Sequence, residues 1–451
     1  MKIIIVGCGQ VGRSLVRQLD EEGHDVSIID TDPEKISNLT VIYDVMGFTG
    51  NGTSYKLLRE AGIDRTDVLI AVTDSDEVNI LCCIIARRSG CKTVARVRNP
   101  IYSEERSFMH NELGISLIIN PDRSAAREVV RLLQFPSALK IESFAGGSIE
   151  LIGFKVPDDS QLAGVSLRDS GLQKSGLLVC AAQRAGKTFI PHGDYTIEKG
   201  DIIAVITVTG KARKVLERIG VSRDKIKNAV IIGGGDLAYY IARMLERSGI
   251  STKLVEKDRS RCEILSEQLP ETTVIHGDGL SGELYGEEHI GDADAIIAAT
   301  DVDEENIIFS LSAAASSHAK VITKLGHMSY HGVIGSLNLD SIVNPLNIAA
   351  DRILRFIRGL NNSIDASAVE SLHRLWNGKV EALEFRVQPS CTLLDTKLMD
   401  MHIKRGTLIA AIIRSGALII PGGTDSFEIG DSVIIVTTNT GCQMLDDIAD
   451  A

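Results

Sequence analysis

The chain opens on an apolar run, IIIV at residues 3–6, which ends in the glycine-rich turn GCGQVG at residues 7–12. After the turn, apolar residues recur at helical spacing through SLVRQL, residues 14–19. An apolar run, a glycine turn and an amphipathic segment in succession predict a buried strand, a tight turn and a helix.

The same pattern returns in the second half of the chain. IIIVGCGQVGRSLVRQL at residues 3–19 is matched by AVIIGGGDLAYYIARML at residues 229–245. The spacing between matched positions is 226 residues at the first glycine and 227 residues from Thr73 to Thr300. A match that keeps its spacing over about 120 residues indicates a duplicated domain.

A β-rich segment follows each copy. Short alternating strands are separated by Gly, Asp and Pro turns, and a Gly-Asp pair precedes the last strand of each segment, Gly200-Asp201 and Gly430-Asp431. We therefore predict an α/β chain with four domains in the order A1, B1, A2, B2: two Rossmann-like doubly wound parallel sheets, each followed by a small α+β, β-rich domain. The predicted boundaries are 1–123 for A1, 140–222 for B1, 228–346 for A2 and 370–451 for B2.

Composition narrows the class of protein. The 451 residues carry a formal net charge of −12, which weighs against a nucleic-acid partner because neutralising phosphates needs a basic face. No stretch approaches the roughly 20 apolar residues of a membrane span. The amino terminus reads as a strand and not as a signal peptide. Eight cysteines without a CxxC pair indicate reduced, mostly buried thiols.

The glycine turn of A1 has the context of a dinucleotide site. In a strand–GxGxxG–helix unit the glycines allow a tight turn, close approach of a pyrophosphate and close helix packing. Asp30 ends the second predicted strand, 18 residues after Gly12, where a carboxylate accepts the ribose hydroxyls and repels a 2′-phosphate. This favours NAD(H) or an adenosine nucleotide over NADP(H). The alternative is a plain strand–turn–helix.

Further polar residues follow the later strands of A1. Asn51-Gly52 and Thr73-Asp74 lie at strand ends, where a doubly wound sheet contacts its ligand. Thr73, Asp74 and Ser75 could instead cap the next helix, and both roles are compatible. Arg98, at the end of the fifth predicted strand, could meet a phosphate, and we match it to Lys324 in A2.

The A2 copy is altered at the turn. In the run Gly233, Gly234 and Gly235, the first and last residues match the first two glycines of the motif. Alanine replaces the third. Asp236 adds a negative charge at the mouth of the turn, whereas Glu256 still supplies a ribose acceptor. A2 is therefore a weaker candidate site, and the alternative is a Rossmann unit kept only for packing.

We find no convincing catalytic group. Tyr195 and Lys199 have the YxxxK spacing of short-chain dehydrogenases, but they lie between β-turns of B1. His327 and His331 have metal-ligand spacing without a third ligand, and RAGKT at residues 184–188 lacks the upstream glycine of a phosphate loop. Two nucleotide sites without chemistry predict a sensor and not an enzyme; the alternative is a nicotinamide-dependent oxidoreductase with an unrecognised substrate.

These motifs resemble a known family. The duplicated glycine turn, AGIDRTDVLIAVTDSDEVN, ARVR, the INP run and PHGDYTIEKGD are similar to the regulatory subunits of Trk potassium-uptake systems, the TrkA family, built from tandem regulator-of-potassium-conductance (RCK) units. The resemblance covers essentially the whole chain. It implies a cytoplasmic homotetramer, peripheral on the inner face of the membrane through a TrkH-like potassium transporter subunit, which binds NAD(H) and in some cases ATP or ADP.

The resemblance also implies site residues. In A1 they are Gly7, Cys8, Gly9, Gln10, Val11, Gly12, Asp30, Asn51, Gly52, Thr73, Asp74 and Arg98. In A2 they are Gly233, Gly234, Gly235, Asp236, Leu237, Glu256, Asp278, Thr300 and Lys324. Gln10 stands where relatives that hold an ATP γ-phosphate carry arginine, which weighs against ATP selectivity in A1, and Asp236 weighs against a polyphosphate in A2.

The predicted helix that follows Pro121 has an apolar face. Ala125, Val129, Leu132 and Leu133 share one face of it. In the family that it resembles, this crossover helix packs on a neighbouring unit, whereas burial on its own sheet is the alternative. We expect different nucleotides to favour different hinge angles between A units, a population shift passed on to the transporter.

Overall fold

The computed structural model describes residues 1–211, 216, 225–326, 339, 341–361, 369–376, 378–439, 441–442 and 444–450. The chain divides into two compact units, each made of two segments. The first unit joins Met1–Val130 with Lys227–Ile357, and the second joins Arg131–Ile226 with Arg358–Ala451. The first holds the two Rossmann domains and the second holds the two β domains.

A1 is a parallel sheet in the strand order β3-β2-β1-β4-β5-β6, the order of dinucleotide-binding folds. Its strands are β1 (Lys2–Val6), β2 (Asp25–Asp30), β3 (Val45–Thr49), β4 (Val68–Ala71), β5 (Lys92–Arg96) and β6 (Leu117–Ile119). Its helices are α1 (Gln10–Glu21), α2 (Pro33–Ile42), α3 (Tyr55–Glu60), α4 (Asp76–Arg87), α5 (Pro100–Glu104), α6 (Arg106–Asn111) and α7 (Pro121–Gln134).

B1 is an antiparallel sheet in the order β10-β9-β11-β8-β7. Its strands are β7 (Ala138–Phe144), β8 (Ile149–Lys155), β9 (Leu178–Arg184), β10 (Lys187–Phe189) and β11 (Ile202–Val208). Ala185 and Gly186, both with positive φ, form the two-residue turn between β9 and β10. RAGKT therefore forms a hairpin.

A2 repeats the parallel sheet in the order β14-β13-β12-β15-β16-β17. Its strands are β12 (Asn228–Ile232), β13 (Ser251–Glu256), β14 (Thr272–His276), β15 (Ala295–Ala298), β16 (Lys320–Lys324) and β17 (Ser341–Val343). Its helices are α8 (Asp236–Arg247), α9 (Arg259–Gln268), α10 (Gly282–Glu287), α11 (Asp303–Ser316) and α12 (Pro345–Asn361).

B2 repeats the antiparallel sheet in the equivalent order β18-β19-β22-β20-β21. Its strands are β18 (Val369–Leu375), β19 (Val380–Arg386), β20 (Thr407–Arg414), β21 (Ala417–Ile419) and β22 (Ser432–Thr437). The α/β class and the alternation of Rossmann-like and β-rich domains are thus confirmed.

Burial explains why these segments fold as they do. Four of the five residues of β1 are buried, as expected for a central parallel strand covered on both faces. On α4, Cys82, Cys83 and Ala86 pack against this sheet. All eight cysteines are free, and burial raises the pKa of Cys82 to about 12, so its thiol is inert at neutral pH.

In the second unit the two antiparallel sheets share one core. Leu151 and Ile206 of B1 and Ala382 and Val436 of B2 are fully or almost fully buried in the same cluster. Each small sheet therefore buries an apolar face against the other, which helps small domains to be stable.

Within the described residues, no helix has both the length and the apolar character needed to cross a membrane.

Candidate functional site

The glycine turn of A1 is shaped by the atoms around two of its glycines. Gly7 has φ of +103°, and a Cβ there would lie 2.8 Å from the amide nitrogen of Thr73. A Cβ on Gly12 would lie 2.0 Å from the carbonyl oxygen of Gly7. Gly7 therefore permits the tight turn and Gly12 the close approach of α1 to β1, as the motif predicts.

Gly9 has a different environment. No described atom beyond its chain neighbours lies within 4 Å of a Cβ built on Gly9, and its A2 counterpart Gly235 has only Asp301 Oδ1, at 3.9 Å. Gly9 and Gly235 are the N-cap residues of α1 and α8, and among the described residues neither helix start receives a side-chain cap. Both helix starts thus lack a side-chain cap among the described residues and follow an open turn, an arrangement that suits an anion.

The second residue after each cap can contact a ligand through its backbone only. Val11 and Leu237 are 3% and 2% exposed, with their side chains in the core. The prediction of binding at these positions is therefore limited to their N–H groups.

A carboxylate lies beside each turn. Asp30 Oδ2 accepts a hydrogen bond from Cys8 N at 2.6 Å, and in A2 Glu256 Oε2 accepts one from Gly234 N at 2.6 Å. The second oxygen of each carboxylate accepts from a backbone amide two residues further on, at 2.9 and 2.7 Å. The ribose acceptors predicted for A1 and A2 therefore occupy equivalent places.

The two copies reach this arrangement with different side chains. A1 combines a buried Cys8 with the shorter Asp30, whereas A2 combines Gly234 with the longer Glu256. A Cβ on Gly234 would lie 2.7 Å from Glu256 Oε2, so a larger residue there would displace the Glu256 carboxylate. In A1, burial and then the Asp30 charge raise the pKa of Cys8 to about 12, and its thiol is not a nucleophile.

The loops after β3 and β14 are also equivalent. Asn51 Oδ1 accepts from Thr53 N at 3.0 Å, and Asp278 Oδ1 accepts from Leu280 N at 2.9 Å. A Cβ on Gly52 would lie 2.2 Å from Val6 Cγ1, so this glycine lets the loop cross the end of β1.

Sequence reasoning missed the residue that fixes the next loop. Asn79, fully buried on α4, accepts from Thr73 N and Thr73 Oγ1 at 2.8 and 2.7 Å and donates to the carbonyl oxygens of Thr73 and Arg96. Asn306 makes the same four bonds with Thr300 and Lys324. The signal was the asparagine repeated at the end of TDSDEVN and TDVDEEN. Ser75 caps α4, as predicted.

The match between Arg98 and Lys324 is wrong. Asn79 donates to the carbonyl of Arg96 and Asn306 to that of Lys324, so Arg96 is the counterpart of Lys324. Asp76 accepts from Arg98 N, and the equivalent Asp303 accepts from Gly326 N. The match of Arg98 to Lys324 is two residues out of register, and β5 ends at Arg96, before Arg98.

These cations lie beside an acid in both copies. Arg96 pairs with Asp74 at 3.2 Å, and the Arg98 guanidinium donates to the Asp74 carbonyl at 2.9 Å. Lys324 pairs with Asp301 at 2.8 Å. Burial and then the neighbouring Arg98 lower the pKa of Arg96, so this charge is costly to bury and attracts an anion. A1 thus places two arginines at the edge of its sheet.

In A2 an arginine lies against the turn. Arg261 Nε donates to the carbonyl of Gly234 at 2.8 Å, and its guanidinium pairs with Asp236 at 3.4 Å. This pair partly neutralises the charge that we expected at the mouth of the turn. Beside the turn is a cavity of about 190 Å³ whose lining includes Glu256 and Asp278.

A1 and A2 touch within the first unit. Asn120 Nδ2 donates to the carbonyl of Arg98 at 2.8 Å and contacts the Tyr240 hydroxyl at 3.2 Å, and that hydroxyl donates to the same carbonyl. Burial raises the pKa of Asp122, which also interacts with Lys324 and Asp236 of A2. The start of α7 therefore lies close to A2, and packing of its apolar face on a neighbouring unit stays a prediction.

Of the reactive groups singled out in the sequence, the structure gives Tyr195 a structural partner. Tyr195 lies between β10 and β11 and donates its hydroxyl to Asp201, so it has a structural partner in B1. His327 and His331 lie outside the described residues. Among the described residues, no cluster of three or more His, Cys, Asp or Glu side chains could hold a metal ion.

Fold and site together define a class: a tandem protein with two Rossmann domains, each followed by a small β domain and each with a glycine turn, an adjacent carboxylate and a buried asparagine. The TrkA-N domain model matches residues 3–121 and 229–345, and the TrkA-C domain model matches residues 151–220 and 382–450. The chain belongs to the TrkA family, as the sequence resemblance predicted.

Two sequence relatives of similar length carry names from the same family. The chain is 30% identical over 436 residues to the Trk system potassium uptake protein TrkA homolog of Archaeoglobus fulgidus, covering 96% of this chain and 97% of the relative. It is 31% identical to the Trk system potassium uptake protein TrkA of Halomonas elongata, covering 96% and 95%. The family is one of transport proteins and not of enzymes.

A solved structure supports the fold. The GsuK channel bound to NAD matches with a TM-score of 0.63 at 16% identity, covering 97% of this chain and 76% of that chain. At this identity the likeness concerns the fold alone.

Proposed function

We propose that the protein is the nucleotide-sensing regulatory subunit of a Trk-type potassium uptake system. The observation that carries this proposal is the duplicated sheet edge: an open glycine turn with a carboxylate at its side occurs in A1 and again in A2. Family membership supplies the transport context, and the NAD-bound channel of similar fold supports NAD(H) as a ligand.

The proposed binding mode follows from the geometry. The pyrophosphate of NAD(H), or the phosphates of ADP or ATP, would lie over Gly9 against the N–H groups of α1. Asp30 would accept the ribose hydroxyls, and Arg98 would balance phosphate charge. We retain as proposals the full residue sets given above for A1 and A2, with Arg96 added to A1.

The proposed output is a change in the relation between A1 and A2. Arg98 belongs to the A1 edge, and its carbonyl bonds to Tyr240 on α8, the helix that starts at the A2 turn. Ligand at either edge would therefore bias this contact, a population shift relayed to a TrkH-like membrane subunit. A cytoplasmic homotetramer, peripheral on the membrane through that partner, and the four domain boundaries remain parts of the proposal.

Gly9→Ala tests this function. The new methyl has no described neighbour to clash with, so the unfolding midpoint should stay within about 1 °C, whereas NADH loses the space over the turn. We expect NADH affinity at A1 to fall by at least about tenfold, and Gly9→Ala/Gly235→Ala to weaken nucleotide binding at both turns. Fluorescence titration of NADH measures binding, and potassium uptake by cells with a Trk-type transporter measures function.

Gly359→Ala is the matched control, because its Cβ also has open space but lies on α12. Unchanged NADH binding and uptake in Gly9→Ala would reject A1 as the sensing site. Catalytic consumption of NADH by the pure protein with a candidate substrate would favour the oxidoreductase alternative.

A further inference from the structure

The equivalent edges of A1 and A2 differ in charge. At the first helical position after the turn, the neutral Gln10 of A1 is replaced by Asp236 in A2. Arg261, the arginine against the A2 turn, is already bonded to the Gly234 carbonyl and paired with Asp236. A phosphate in A2 would therefore lie near the Asp236 carboxylate at the helix start. The Arg261 guanidinium would attract it less, because Asp236 already neutralises part of its charge.

A2 also lacks cations that A1 has. Arg98, bonded to the Asp74 carbonyl in A1, is matched by Gly326 in A2. Arg13, whose Nε donates to the carbonyl of Cys8, is matched by Tyr239. The Arg98 replacement removes one positive charge from the side of the turn, whereas Arg261 bonds in A2 to the carbonyl equivalent to the one that Arg13 bonds in A1.

The cavity of A2 gains acids where A1 has neutral residues. Asn51 is matched by Asp278, and Val78 by Glu305, and both acids line the cavity. One replacement acts in the other direction, since Lys257, which also lines the cavity, stands where A1 has Thr31. At these matched positions A2 is more negative than A1, with one added lysine.

The cavity also offers an apolar surface. Its volume is about 190 Å³. Apolar residues, Val255, Ala299 and Leu280 among them, form part of the lining beside Glu256. Such a lining suits a nucleoside, held by an apolar wall and a ribose acceptor.

We propose that A2 binds a nucleoside monophosphate and discriminates against nucleoside di- and triphosphates through the charge of Asp236 and the acids of its cavity. The proposal rests on the proposed function, because it names the ligand class of one of the two edges. A1, with more positive charge, takes the dinucleotide. The two edges of one chain then respond to different ligands.

The test uses the full chain with Gly9→Ala, which weakens binding at A1, so that calorimetry with AMP, ADP, ATP and NADH in turn reports mainly on A2. We expect AMP to bind most tightly, with affinity falling at each added phosphate. Adding Asp236→Gln, which copies Gln10, should raise the affinity for ADP about fivefold to tenfold while changing that for AMP less. Glu305→Gln should act in the same direction.

Glu267→Gln is the control, since it removes the same charge from an exposed position on α9. Equal or tighter binding of ADP or ATP than of AMP at A2, no binding of AMP, or no response to Asp236→Gln and Glu305→Gln would each overturn the proposal. NADH binding by the unaltered chain distinguishes the proposed function from this inference. If the unaltered chain does not bind NADH, the proposed function is contradicted. If it binds NADH but A2 does not discriminate between nucleotides, this inference alone is contradicted.

Discussion

Gly12→Ala is expected to lower the free energy of unfolding by about 3 kcal/mol, in the upper part of the range for overpacking. Its new methyl would lie 2.0 Å from the carbonyl oxygen of Gly7, a backbone atom that cannot rotate away. Helix α1 would have to move from β1, which disturbs the turn as well as the packing. Alanine's helix propensity would offset about 1 kcal/mol at most.

The chain contains its own control for this change. Ala238 occupies the Gly12 position in A2 and is fully buried at the start of α8. Ala238→Gly should cost about 1 kcal/mol through backbone entropy alone. Urea unfolding followed by far-UV circular dichroism measures both variants. A Gly12→Ala protein as stable as the unaltered chain would show that the third glycine is not required for packing.

The fold was predictable because its signals are local and repeated. The sequence pattern around the glycine turn predicts β1, the turn and the start of α1 within about ten residues. The second copy repeats this pattern with nearly constant spacing. Gly7 and Gly12 are required by backbone geometry, so their type follows from the chain conformation itself. Asp30 and Glu256 could be predicted for another reason, because each ends the strand beside its turn.

Other site features depend on contacts that no local pattern records. Loops of A1 and A2 differ in length by a residue or two, so the match of Arg98 to Lys324 slipped until the bonds of Asn79 and Asn306 set the register. The bond between Tyr240 and the Arg98 carbonyl joins residues 142 apart in sequence. Only the folded unit brings them together.

The β domains hold a second structural feature that the sequence marked without explaining. The repeated Gly-Asp pairs place Asp201 and Asp431, each 1% exposed, at the start of the last strand. Asp201 accepts from Arg184 Nε at 2.7 Å and from its terminal nitrogen at 2.8 Å, and Asp431 accepts the equivalent pair from Arg414. Each bidentate pair fixes the end of a hairpin to the strand beside it.

Asp201→Asn is expected to cost about 3 kcal/mol of unfolding free energy, because it leaves Arg184 and the Tyr195 hydroxyl without their buried anionic acceptor. Asp431→Asn is the matched comparison. Asp425 stands at the tyrosine position in B2, so one hydrogen bond fewer is lost, and the cost should be smaller by about 1 kcal/mol. Equal costs would show that the tyrosine contributes nothing.

The pH dependence of this stability difference distinguishes the lost carboxylate charge from altered packing. Burial would raise the pKa of Asp201, but hydrogen bonds from Arg184 and Tyr195 outweigh it and hold that pKa below its usual value. A depressed folded pKa means that the stabilisation is complete above the unfolded pKa of about 3.9 and is lost as pH falls through the folded value. The gap between the unaltered chain and Asp201→Asn should therefore be constant from about pH 7 to about pH 5 and narrow below about pH 4. A gap that stays constant into acid would mean that the variant is destabilised by altered packing and not by the lost carboxylate charge.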